Sequence, residues 1–118
     1  MRIHEARFDG LYPIDGYGPG FFRIGGQIIK GPILVSSHGI TGWGGYDDRG
    51  SFQTIVGNID VLFLGTGAQT AHPPNVLKQW FETHNIGVEA MATPAACRTY
   101  NVLLAENRRI GAALLPVE

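Results

Sequence analysis

A single cysteine, Cys97, excludes any internal disulfide in this 118-residue chain and suits a reducing compartment. Apolar stretches are short, well below the roughly 20 residues that a membrane-spanning helix needs, so an integral membrane protein is not expected. No hydrophobic segment follows Met1-Arg2-Ile3-His4-Glu5, which argues against an export signal and for a cytoplasmic location. Charge of either sign is scarce: nine Lys and Arg stand against ten Asp and Glu, for a formal net charge of −1. With no basic run, nothing marks a nucleic-acid partner. The histidines His4, His38, His72 and His84 lack metal-ligand spacing, and no cofactor is expected. No Gly-Lys-Ser/Thr and no Gly-x-Ser-x-Gly occurs, which removes the P-loop and the hydrolase elbow. Asp47-Asp48 pairs two carboxylates, but in a Gly-rich turn they are expected to be solvated.

Glycine, by contrast, is abundant, at 17 residues concentrated before Asn58. A hydrophobic fraction of 44% with 16% charged residues describes a globular chain. The length suits one domain over 1–118, with a β-rich part at 1–57 and a βαβαβ part at 58–118. In the first part, Ile3 to Phe8 reads as a strand ended by Asp9-Gly10. Tyr12 to Gly20 reads as an ordered loop, and Phe21–Ile24, Gly25-Gly26 and Gln27–Lys30 as a hairpin. Ile33–Ser36 is a further strand, and Trp43 is either a core residue among glycines or an exposed anchor for a partner. Ser51–Val56 reads as a short helix or an irregular connection.

The second part is better punctuated. Ile59 to Leu64 is a buried strand running into Gly65-Thr66-Gly67. Pro74 opens a helix whose apolar face is Val76, Leu77, Trp80, Phe81 and His84, and Asn85 stops it. Gly87–Met91 is a strand parallel to the first. Thr93 is read as the N-cap and Pro94 as the first position of a second helix, which buries Ala96, Tyr100, Leu103 and Leu104. Asn107 ends that helix, and Ile110–Leu115 is a final buried strand.

Two features carry chemistry. Gly65-Thr66-Gly67 leads from a strand toward a helix, where backbone N–H groups can hold an anion, or it is simply a tight turn. Thr93, Arg98 and Asn101 lie on the neighbouring helix start, so these six residues form a candidate ligand or anion pocket. Cys97 is in the same helical turn and is expected to be buried and slow to react.

The runs Phe63-Leu64-Gly65-Thr66-Gly67 and Thr93-Pro94-Ala95-Ala96-Cys97-Arg98-Thr99-Tyr100-Asn101 together resemble a widespread small-domain family. Its members include uncharacterised bacterial and archaeal proteins and mitochondrial NADH dehydrogenase (complex I) assembly factor 3. Weaker agreement extends through Ile14-Asp15-Gly16-Tyr17, Phe22-Arg23-Ile24 and Gly39-Ile40 to Trp43, while Gly44–Gly57 departs most. The resemblance implies an α/β, three-layer domain: a central mixed sheet of about five strands, helices packed on it and an added N-terminal β layer. It brings no catalytic residues. It implies a non-catalytic interaction domain whose partners are respiratory complex subunits or assembly factors. The alternative is a small-molecule binder or enzyme using the cleft between Gly65-Thr66-Gly67 and the Thr93 helix start.

Overall fold

A computed structural model describes residues 12–118, so the expected strand at 3–8 and its turn lie outside the described residues. Gly25 and Gly26 both adopt positive φ, 61° and 81°, the geometry of the tight turn expected there. That turn joins β2 (Phe21–Ile24) to β3 (Gln27–Lys30), and β1 (Gly16–Gly18) pairs on the other side of β2. The result is a small antiparallel sheet of order β1-β2-β3.

The main sheet has five strands in the order β5-β4-β8-β6-β7. Its members are β4 (Ile33–Ser36), β5 (Gly39–Gly42), β6 (Val61–Thr66), β7 (Gly87–Met91) and β8 (Ile110–Leu115). β6 runs parallel to both β7 and β8, while β4 is antiparallel to β8 and β5. The sheet is therefore mixed, with β6 interior and β8 central. The strand expected at Ile59–Leu64 begins two residues later and continues through Gly65 to Thr66. Strand β5 is an addition to the expected strands: pairing with β4 holds its two glycines extended.

Alternation along β6 divides the core. Leu62 and Leu64 point to one face, where they join Leu77 and Phe81 of α2 (Asn75–Thr83). Phe52 of α1 (Arg49–Gln53) and Trp43 complete that layer. Phe63 points to the other face, toward Cys97, Tyr100 and Leu104 of α3 (Thr93–Ala105). Phe22 and Ile24 of the small sheet pack into this second cluster, so the N-terminal β layer covers the same face as α3. The two crossovers lie on opposite faces because they run in opposite directions along the sheet. β6–α2–β7 moves outward, and β7–α3–β8 returns past β6; right-handed connections then alternate sides.

Local punctuation differs from expectation at several points. Asp47–Gly50 is not merely a solvated turn. Asp48 caps α1, accepting from the Ser51 N–H at 3.1 Å, the Ser51 hydroxyl at 2.6 Å and the Gly44 N–H at 2.8 Å. These bonds stabilise the carboxylate and lower its pKa, the Ser51 side chain contributing most. Pro74 is the N-cap of α2 rather than its first residue. On that helix Leu77 and Phe81 are buried, Trp80 is half-buried, and Val76 is 66% exposed. Val76 lies one position off the buried stripe and faces away from the sheet. Trp43 is buried against Phe52, with ring centroids 5.4 Å apart, as the core reading required. Asn85 and Asn107 stop their helices with φ of 63° and 62°.

Candidate functional site

Adjacent parallel strands β6 and β7 send their chains to opposite faces at their C-terminal ends, so a crevice opens there, as is general in such sheets. Four of the six expected pocket residues meet at this point. Gly65 ends the close-packed part of β6: a Cβ on it would stand 2.8 Å from both Leu114 Cδ2 and Thr93 Oγ1, and 3.2 Å from Thr93 Cα. Lack of a side chain is what lets the start of α3 lie on the strand.

Thr93 does not act as the N-cap. Ala92 occupies that position without a side-chain bond, and Pro94 is the second helical residue. Thr93 is instead fully buried, and its hydroxyl donates to the Leu115 carbonyl at 2.6 Å and accepts the Gly67 N–H at 2.8 Å. The Thr93 N–H donates back to the Gly67 carbonyl at 2.8 Å. One side chain thus joins the β6 loop, the α3 start and the end of β8. Gly67 has φ of 98°, a conformation that side chains disfavour. Thr66 organises the loop that follows: its hydroxyl lies 2.7 Å from the Gln69 carbonyl and accepts the Ala71 N–H at 3.1 Å.

The other two residues go elsewhere. Asn101 receives the Ile14 N–H on Oδ1 at 2.8 Å and donates from Nδ2 to the Ile14 carbonyl at 2.9 Å. It fastens the N-terminal segment to α3. Arg98 is exposed and borders a shallow, mainly apolar depression on α3 with Thr99, Val102 and Leu103.

Cys97 is only 4% exposed, and burial pushes its thiol up to about 11, partly opposed by Arg98. A thiol at that value carries ~100-fold less thiolate than an ordinary one at neutral pH, before hindered access is counted. The native protein should therefore react with a disulfide reagent at pH 8 at least that much more slowly than the urea-unfolded chain. Labelling at the unfolded rate would show an exposed, activated cysteine. The same shift has a stability consequence. The folded state holds this proton more tightly, so its contribution is intact below the unfolded value of 9.0 and declines between there and about pH 11.

A groove of about 520 Å³ lies beside these loops, lined by His72, Pro73, Asn75, Lys78, Val88 and Ala90. Sequence reading missed it, because it depends on β7 lying at the sheet edge with Val88 and Ala90 turned toward α2. Among the described residues, no group of histidine, cysteine and carboxylate side chains could hold a metal ion. No helix among them is long and apolar enough to cross a membrane.

This arrangement defines a three-layer α/β protein with a small antiparallel sheet on one face of a mixed five-stranded sheet. The chain belongs to the family described as protein of unknown function (DUF498/DUF598), whose pattern matches residues 14–115. An uncharacterised protein of Rhodobacter capsulatus is 45% identical over 117 residues, which is 99% of this chain and 94% of that protein. Human NADH dehydrogenase [ubiquinone] 1 alpha subcomplex assembly factor 3 is 33% identical over 110 residues, 87% of this chain and 60% of the human protein. The chain thus spans less than two thirds of the human assembly factor. A crystal structure from Bartonella henselae, described as an outer membrane protein, superposes with TM-score 0.84 at 36% identity, covering 95% of this chain and all of that one. A solution structure from Bordetella pertussis, described as an Mth938-like domain, gives TM-score 0.77 at 26% identity over 98% of this chain and 92% of that one.

Proposed function

We propose that the chain is a single, cytoplasmic, non-catalytic domain that acts through protein contacts in the assembly of a respiratory NADH dehydrogenase. The observation that carries this reading is the similarity to the assembly factors, which covers 87% of the chain in the human case. The internal use of the Gly67 N–H, the Thr93 hydroxyl and the Asn101 amide supports it, since these groups hold the fold together. A second reading keeps a small anionic ligand in the crevice of Gly65, Thr66, Gly67 and Thr93, reached by Arg98 only if its exposed side chain swings over from the outer surface of α3, while Asn101 stays bound to Ile14. Its support is the switch point between β6 and β7.

Replacing Thr66 and Arg98 together with alanine separates the two. The interaction reading expects the double variant to keep its circular dichroism spectrum and its captured partners, with a melting temperature lowered by only a few degrees for the lost Thr66 loop bonds. Phosphate titration followed by amide chemical shifts should show no response at Gly67 or Ala68 in either form. Saturable shifts in the native chain that vanish in the double variant would replace the interaction reading with the ligand reading.

A further inference from the structure

Among the described residues strand β7 is an edge of the main sheet, and its outer side has a defined hydrogen-bonding pattern. Alternate residues of a parallel strand direct their backbone groups to a given neighbour. The Gly87 N–H donates to the Asp60 carbonyl at 2.9 Å, which assigns Gly87, Glu89 and Met91 to the side facing β6. Val88 and Ala90 therefore turn their N–H and C=O groups outward. Ala92 continues the alternation: its N–H points outward and is taken by Thr70 Oγ1 at 3.2 Å. The loop after β6 thus closes the top of the edge and leaves the two residues below it without a strand partner among the described residues.

Those same two residues put their side chains into the groove beneath α2. Its floor is apolar, from Val88, Ala90 and Pro73. Its rim carries Lys78 and His72, and its lining residues include no carboxylate. Glu89 is in register with Phe63 and so belongs to the opposite face. Edge strands are commonly blunted by charged side chains, a proline or a bulge; β7 has no proline or bulge, and its one charge, Glu89, lies on the face away from the groove.

We propose that β7 and this groove dock an extended acidic segment of a partner protein, added as a sixth strand with its carboxylates toward Lys78 and His72. The inference rests on the interaction reading above and names its surface. Main-chain bonds to Val88 and Ala90 supply the affinity, and the Lys78 ammonium on the rim, with the His72 ring beside the groove as a hydrogen-bonding group, selects for acid.

A blocked hexapeptide of alternating valine and glutamate, titrated into the isotope-labelled full chain, tests it. Shifts should centre on the Val88 and Ala90 amides, and hydrogen exchange at both should slow. Lys78→Glu should weaken binding by roughly tenfold through charge reversal. Ala90→Pro should abolish it, since proline is tolerated where a strand N–H faces outward. If Ala90→Pro does not fold, the peptide N-methylated on the amides facing β7 makes the same test on the native protein and should not bind. The docking proposal falls if β7 shows no response at millimolar peptide, if a valine–lysine peptide binds equally, or if Lys78→Glu binds normally. Binding only after removal of residues 1–11 would give the edge to the chain's own segment and also overturn it. Respiratory partners captured by a chain that ignores the peptide would leave the interaction reading standing while this surface is rejected.

Discussion

Gly65→Val should lower the stability of the folded chain by ~3 kcal/mol, at the upper end of what overpacking a core usually does. The cause is steric. Even the first atom of the new side chain would meet Leu114 Cδ2 and Thr93 Oγ1 at 2.8 Å. Leu114 could rotate away, but Thr93 Cα stands 3.2 Å off and can retreat only if the start of α3 lifts from the sheet. Lifting it breaks the bonds from Thr93 to Gly67 and Leu115 together. Urea denaturation should show the midpoint falling with little change in slope. A variant as stable as the native protein would show that α3 does not rest on Gly65 as described.

Tyr100→Ala should be more damaging still, at ~3–5 kcal/mol, the usual range for deleting a buried aromatic ring. Tyr100 is fully buried between α3 and the small sheet, and its hydroxyl donates to the Tyr12 carbonyl at 3.0 Å. Burial, with Tyr12 adding to it, raises the phenol pKa strongly, so the ring stays neutral and remains a donor at any physiological pH. Tyr100→Phe keeps the packing and removes only that bond, at ~1 kcal/mol. Equal losses in the two variants would mean that the hydroxyl, not the ring, holds the N-terminal segment in place.

The βαβαβ half was legible because its signals are local. Asn85 and Asn107 could be assigned as stops since a left-handed residue after an apolar stripe suffices to end a helix. The parallel pairing of β6 and β7 followed from one amphipathic helix between two apolar runs. Thr93 was misassigned for the same reason. A threonine before proline has the local look of a cap, whereas its actual acceptor, Leu115, is 22 residues away. Asn101 is a sharper case, since its partner Ile14 is 87 positions distant and nothing near either residue announces the pair. Strand β5 escaped notice because two glycines among four residues give no propensity signal, and only its ladder with β4 makes them a strand. Gly65 and Gly67 were visible as a motif, but their reasons differ. One admits a helix and the other supplies a positive φ, and that distinction needs the neighbouring elements.

Affinity capture of the full chain from native lysate of its source cells, with the bound proteins identified by mass spectrometry, tests the central claim most directly. Subunits or assembly factors of the NADH dehydrogenase should be enriched over a tag-only control, and the Thr66→Ala, Arg98→Ala double variant should enrich them equally. Recovery of a bound small molecule with no enriched respiratory protein would contradict that claim.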